Sequence, residues 1–229
     1  MTGLLTLVST PIGNLGDITY RAVEVLREAG HILAEDTRHS RKLLNHYGIS
    51  TPMSSYHDHN KERVTPGIVE RLAAGERIAL VTDAGTPGVS DPGFYLVRAA
   101  IEAGLRVTVA PGPSAVLPAL VLSGFPTDQF AFVGFTPKKK GELARTVEAM
   151  AEERRTTLFY VAPHQLIKVL TAFGEGLPER PLAVAREITK LHEEVARGTA
   201  AELLEHFGAR KVRGEMVLVV RGVDRRRSM

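Results

Sequence analysis

The 229-residue chain is long enough for one large or two smaller domains, each with its own buried core. With 44% hydrophobic and 24% charged residues and a net charge of +3, it has the composition of an ordinary soluble globular protein. No apolar run reaches the about 18 residues of a membrane span, residues 1–9 lack the marks of a secretory leader, and the absence of cysteine excludes disulfides, thiolate zinc sites and thiol nucleophiles.

Leu4–Val8 is a short apolar run that stops at Ser9-Thr10-Pro11, which predicts a buried strand and then a loop. Residues 19–28 carry apolar side chains at helical spacing and end before Gly30. A strand follows at His31–Ala34, then helices over 38–47 and 62–74, each closed by a glycine. Residues 78–82 predict a strand, 94–103 a helix, and Arg106–Ala110 a strand. This alternation points to a mostly parallel sheet with helices on both faces. Pro111-Gly112-Pro113 breaks the pattern, and the domain boundary is expected there, giving domains 1–115 and 116–229. A helix of small residues is expected at 114–122. Beyond it, strands are expected at 130–133, 157–161, 182–188 and Met216–Val220, with helices at 141–153, 165–172 and 200–206. Fewer helices separate these last strands, so the second sheet is expected to be mixed.

Four loop segments have the residue types of ligand sites. Ser9-Thr10-Pro11-Ile12-Gly13-Asn14-Leu15-Gly16-Asp17 lies between the first strand and the first helix, at the edge where open α/β sheets bind ligands. It holds neither a dinucleotide fingerprint nor a P-loop, and a plain turn with Asp17 as helix cap explains it equally well. Val81-Thr82-Asp83-Ala84-Gly85-Thr86-Pro87-Gly88-Val89-Ser90-Asp91-Pro92-Gly93 is the most informative segment. Three glycines, two prolines and two aspartates after a strand describe a rigid backbone cradle for a small polar ligand. Asp83 is placed to take an amine or a hydroxyl, and Asp91-Pro92 to start a helix. Pro111-Gly112-Pro113-Ser114-Ala115 reads as a third ligand loop or as an interdomain hinge. In the second half, Gly134-Phe135, residues 159–164, the charged run 185–194 and Arg213-Gly214-Glu215-Met216 form a fourth group.

Two further features bear on partners. His57 and His59 alternate, but without a third ligand no metal site is expected. Residues 1–115 hold 11 Lys+Arg against 12 Asp+Glu, and the rest of the chain 18 against 14, so the second half is the basic one. Its positive charge gathers at Lys138-Lys139-Lys140, Arg154-Arg155, Arg210-Lys211-Val212-Arg213 and Arg225-Arg226-Arg227, a distribution suited to phosphates or to a solvated surface.

Segments 9–17, 34–39, 81–93, 111–115 and 185–194, in this order and at this spacing, resemble the 16S rRNA (cytidine-2′-O)-methyltransferases of the tetrapyrrole-methylase-like superfamily. The likeness runs from about Leu4 to Val220. It implies two α/β domains of the tetrapyrrole-methylase type with the cofactor in a cleft between them, a homodimer, and S-adenosylmethionine as methyl donor. It implies a decoding-centre (P-site) cytidine of 16S rRNA in the small ribosomal subunit as substrate, and a cytoplasmic protein with no membrane partner. Carried onto this chain, it assigns the cofactor to Pro11, Asp83, Ala84, Gly85, Val89, Ser114, Ala115, Phe135, Ala162, Ala185, Gly214 and Met216. The catalytic residues it brings forward are Lys190, Glu187, Arg38 and Asp36. The chain departs from the family pattern at Val161, where a polar residue is expected, and at Gln165, where an arginine is expected.

Methyl transfer from a sulfonium is an in-line displacement, so the protein mainly positions the reactants. A ribose hydroxyl needs a base, or a cation to steady its oxyanion. Asp36, Glu187, Lys190, His192 and Glu193 are all open for these roles. Lys190 is a base only if burial lowers its pKa; otherwise it steadies a phosphate or the oxyanion. A superfamily relative acting on a small molecule such as a tetrapyrrole, and a non-catalytic RNA-binding module, are the rival readings.

Overall fold

A computed structural model describes residues 3–209 and 211–223. Arg210 and the Arg225–Arg227 run of the basic clusters therefore lie outside the described residues. The chain divides into two compact units, Met1–Ser114 and Ala115–Met229.

The first unit is a five-stranded sheet in the order β3-β2-β4-β1-β5, with every described pair parallel. Its strands are β1 (Leu4–Val8), β2 (His31–Ala34), β3 (Met53–Ser55), β4 (Arg77–Val81) and β5 (Arg106–Ala110). The central strands are apolar on both faces because helices cover both. Val8, Ile32, Ala34, Ala79 and Val81 pack with α1 (Tyr20–Glu28) and α2 (Thr37–His46). The alternate residues Leu5, Leu7, Leu33, Ile78 and Leu80 pack with α3 (Lys61–Ala73) and α4 (Gly93–Glu102). Because the sheet is all parallel, its five carboxyl-end loops emerge at one edge, and the first three ligand segments are among them.

The second unit is a mixed sheet in the order β6-β7-β10-β8-β9. It comprises β6 (Phe130–Phe135), β7 (Thr156–Val161), β8 (Leu182–Arg186), β9 (Glu194–Gly198) and β10 (Met216–Val220). β6 and β7 are parallel, whereas β10 runs antiparallel to β7 and β8, and β8 to β9. On one face Phe159, Val161, Leu182, Val184, Met216, Leu218 and Val220 form a core with α6 (Lys140–Ala149), α7 (Leu166–Gly176) and α8 (Ala200–Gly208). On the other face Ala183, Ala185, Val217 and Val219 are buried as well, and α5 (Val116–Ser123) packs on β8 and β10.

Three local expectations are corrected. Asp17 does not cap α1; Thr19 does, its side chain accepting the Ala22 N–H. The strand expected over 182–188 ends at Arg186, because Glu187 turns into the left-handed region at φ 51. The helix expected over 141–153 ends at Ala149.

Candidate active site

At the carboxyl edge of the first unit, the loops are tied to one another by short bonds. Thr10 and Gly85 exchange both main-chain bonds, at 2.9 and 3.0 Å. Thr10 Oγ1 donates to the Thr82 carbonyl at 3.1 Å, and the Ser9 and Thr86 hydroxyls meet at 2.9 Å. Gly85 holds φ 84, a backbone that a glycine adopts without strain. Asp91 binds the Gly88 N–H with both oxygens and the Gly93 N–H with one, so one carboxylate closes the turn and opens α4. The loop between β4 and α4 is thus fixed by its own side chains. Ala84 and Val89 are exposed on it, Gly85 is buried and Asp83 is half-buried. Pro11 and Ser114 are half-buried in the neighbouring loops.

Asp83 Oδ1 accepts the Asp36 N–H at 3.1 Å, which joins this loop to the start of α2. Asp36 caps α2 through the Arg38 N–H and also grips the Arg38 guanidinium. The bonds from the Arg38 side chain and N–H lower the Asp36 carboxyl to about 2. Asp36 is therefore a committed carboxylate and a weak base. Glu35 behaves oppositely: burial, then the neighbouring Asp83 charge, push its pKa up. Sequence reasoning placed Glu35 in a motif without assigning it a role. Its only signal was its position, between the end of β2 and Asp36.

In the second unit, the antiparallel register sets Met216 beside both Val161 and Arg186. The segments holding Phe135, Ala162, Glu187 and Gly214 consequently share one edge of the sheet. Phe135 is exposed and its ring lies 5.3 Å from that of Tyr160. Ala185 is buried. Met216 places its side chain in the core. Val161 also faces that core, which suits its apolar side chain. Gln165 stands just ahead of α7, with its Oε1 buried and unpartnered. Ala115 directly precedes α5.

The charged run after β8 folds into a tight loop held by side-chain and main-chain bonds, with the buried Thr189 hydroxyl left without a partner. Lys190 Nζ reaches Glu187 Oε1 at 2.8 Å and Glu215 Oε2 at 2.9 Å. Glu187 Oε1 also takes the Glu215 N–H at 2.9 Å, and the Glu187 N–H donates to the Glu215 carbonyl. Burial works against the Lys190 charge, yet the two carboxylates outweigh it and its pKa is raised. Burial likewise opposes the Glu187 charge, but the bonds from Lys190 and the Glu215 N–H hold its pKa below the ordinary value. Lys190 is therefore an ammonium in this arrangement, and of its two expected roles the steadying cation is the one the geometry suits. Glu215 was not among the expected site residues, although it adjoins Gly214 in the same motif. Leu191, His192 and Glu193 are exposed at the loop tip. Among the described residues no group of three or more metal-binding side chains occurs.

The sequence profile of the family described as Tetrapyrrole (Corrin/Porphyrin) Methylases matches residues 4–204, and the chain belongs to that family. Two solved structures share the fold: uroporphyrin-III-C-methyltransferase from Thermus thermophilus, with TM-score 0.67, 22% identity and coverage of 96% of this chain and 94% of that one, and a diphthine synthase, with TM-score 0.69, 14% identity and coverage of 96% and 90%. Within the family the chain is a member of the ribosomal RNA small subunit methyltransferase I group. It is 49% identical to the protein of that name from Synechocystis sp., over 96% of this chain and 79% of the relative. It is 46% identical to the one from Bacillus subtilis, over 96% and 75%.

Proposed function

We propose that this protein transfers the methyl group of S-adenosylmethionine to 16S rRNA in the small ribosomal subunit, onto the ribose 2′-hydroxyl of a decoding-centre cytidine. The observation that carries this reading is the likeness, over 96% of the chain, to proteins named for methylation of small-subunit ribosomal RNA. The residues suit such a cofactor. Ala84 and Gly85 leave room beside a rigid backbone, and Asp83 offers a carboxylate to a cationic or hydroxyl-bearing ligand. Pro11, Val89 and Ser114 from the first unit, and Ala115, Phe135, Ala162, Ala185, Gly214 and Met216 from the second, are proposed as its further contacts. When bound, the cofactor supplies a methyl carbon already activated by its sulfonium.

The chain's own residues position the acceptor and manage its proton. Lys190, held as an ammonium by Glu187 and Glu215, lowers the energy of the oxyanion that forms as the hydroxyl loses its proton. Glu187 orients Lys190 and does not take the proton, since its own charge is already committed. Arg38, whose side chain is 90% exposed, offers a guanidinium to an incoming phosphate. Burial and Asp83 raise the Glu35 pKa, so its carboxyl is a stronger proton acceptor than that of the neighbouring Asp36.

A homodimer and a cytoplasmic location belong to the same reading. Among the described residues no helix is long and apolar enough to cross a membrane. The deciding experiment incubates small subunits with methyl-labelled cofactor and maps the label. Label at a 2′-oxygen of a decoding-centre cytidine supports the reading; label on a base or none on RNA rejects it. Light scattering at micromolar concentration tests the dimer, and a species of only 24.9 kDa rejects it.

A further inference from the structure

We infer that the exposed face of α2 is a docking track for the phosphate backbone of the RNA substrate, an inference that rests on the function proposed above. α2 reads Thr37-Arg38-His39-Ser40-Arg41-Lys42-Leu43-Leu44-Asn45-His46. Ser40, Leu43 and Leu44 are buried, whereas Arg38, His39, Arg41, Lys42, Asn45 and His46 are exposed. Arg38, Arg41, Lys42 and Asn45 stand at the i, i+3, i+4, i+7 positions of one stripe. The helix is about 15 Å long. Arg27 extends the row of cations, its Nη2 donating to the Tyr47 carbonyl at the carboxyl end of α2 at 2.7 Å.

This arrangement is unfavourable for an isolated helix. Neighbouring like charges at i, i+3 and i, i+4 each cost about 0.2–0.5 kcal/mol. A cation in the first turn also opposes the helix dipole. Arg38 is relieved by Asp36, but among the described residues Arg41 and Lys42 have no ion-pair partner. The other helices of the first unit mix their charges: α1 carries Glu24 and Glu28, α3 Glu62 and Glu70, and α4 pairs Arg98 with Glu102. α2 alone of these four has no acidic residue. A solvated face gains nothing from excluding carboxylates, whereas a polyanion rewards it through counterion release. The placement agrees with this. α2 begins at the carboxyl edge, where the Asp36 N–H meets Asp83, so the cations lead away from the candidate active site along one helix. Such contacts hold the strand in register without reading its sequence.

The test is the double variant Arg41→Gln/Lys42→Gln, compared with Arg106→Gln at the exposed amino end of β5, the opposite edge of the same sheet. Binding of small subunits is measured over a salt series, with single-turnover methyl transfer and cofactor affinity on the same preparations. The double variant should bind subunits about tenfold more weakly near 0.1 M salt, and its log–log salt slope should be shallower by about 1.5. Its cofactor affinity and melting temperature should not fall, and Arg106→Gln should change little. An unchanged slope and Kd in the double variant, with wild-type protein methylating the rRNA, overturns the docking face alone. An equal loss per charge in Arg106→Gln overturns it too, by assigning the effect to net charge. Wild-type protein that transfers no methyl group to rRNA overturns the function proposed above and this inference with it.

Discussion

Lys190 illustrates how little of a residue's chemistry lies in its own side chain. Burial alone would make it a base, but Glu187 and Glu215 reverse the sign. A raised lysine contributes stability that is complete below its unfolded value of 10.5 and is lost as the pH climbs through the higher folded value. A lowered Glu187 contributes stability that is present above 4.5 and is lost as the pH falls through its folded value. The Lys190–Glu187 pair should therefore keep one charge state between about pH 5 and pH 10. Single-turnover rates should show no ionisation of Lys190 in that window. Lys190→Arg should retain much of the rate and Lys190→Met lose it; a rate that rises with pH through neutrality, together with loss of the rate in Lys190→Arg, would assign Lys190 as the base instead. Gly214 sets the position of Glu187 from behind. It holds φ 90, and a Cβ built there would lie 2.4 Å from Glu187 Cδ. Gly214→Ala should displace Glu187 and slow methyl transfer at least about tenfold, with a stability loss of about 1–2 kcal/mol from the left-handed backbone. Denaturant titration and rapid-quench measurements check the two parts separately.

At the scale of elements, the loop between β4 and α4 behaves as one rigid unit whose integrity rests on Asp91. Asp91→Ala leaves the Gly88 and Gly93 N–H groups without their partner, and should cost about 1–2 kcal/mol in thermal or chemical unfolding. Cofactor affinity should fall with it. Gly85 is a poor probe of this loop, since a Cβ there meets nothing closer than 3.8 Å while its φ of 84 strains any side chain. Ala84 is exposed, so Ala84→Leu should leave folding intact. Calorimetry should show cofactor binding lost in that variant, and unchanged affinity would remove the loop from the proposed site. The strands of the first sheet's centre were legible in the sequence because burial on both faces makes them continuous apolar runs. β3 was not, being three residues, two of them serine, paired only to β2. β9 was missed for a related reason: it is an edge strand, only partly buried along its length, and it begins inside a charged run. The loops proposed to hold the cofactor were legible as strand-end loops through glycine, proline and aspartate, whereas the Glu215 bond to Lys190 needs the β8–β10 register, which no local pattern encodes.

Charge at the scale of the whole molecule was only half visible. Summing residues 1–115 gave a net of −1 and directed attention to the second half. That sum averages the acidic carboxyl edge with α2 and hides a helix whose charges all lie on one exposed side. The second unit offers a clean way to separate charge from stability. Lys138, Lys139 and Lys140 are exposed, with Lys140 opening α6 and Lys139 lying 3.4 Å from Glu142. Cations at a helix amino terminus oppose its dipole by about 0.3–1 kcal/mol each. Replacing all three lysines with glutamate should therefore leave α6 as stable as before or more so. The same change moves the formal net charge from +3 to −3. It should weaken small-subunit binding by about tenfold or more at low salt, and flatten the salt slope, because fewer counterions are released. Cofactor affinity should hold, since none of the three exposed lysines is among the proposed cofactor contacts. Stability and RNA affinity thus move in opposite directions, which a variant that merely misfolds cannot imitate. Melting curves, a salt series with subunits and cofactor calorimetry on one preparation measure all three. Normal methylation by the triple variant at low salt would show that these lysines only solvate the surface.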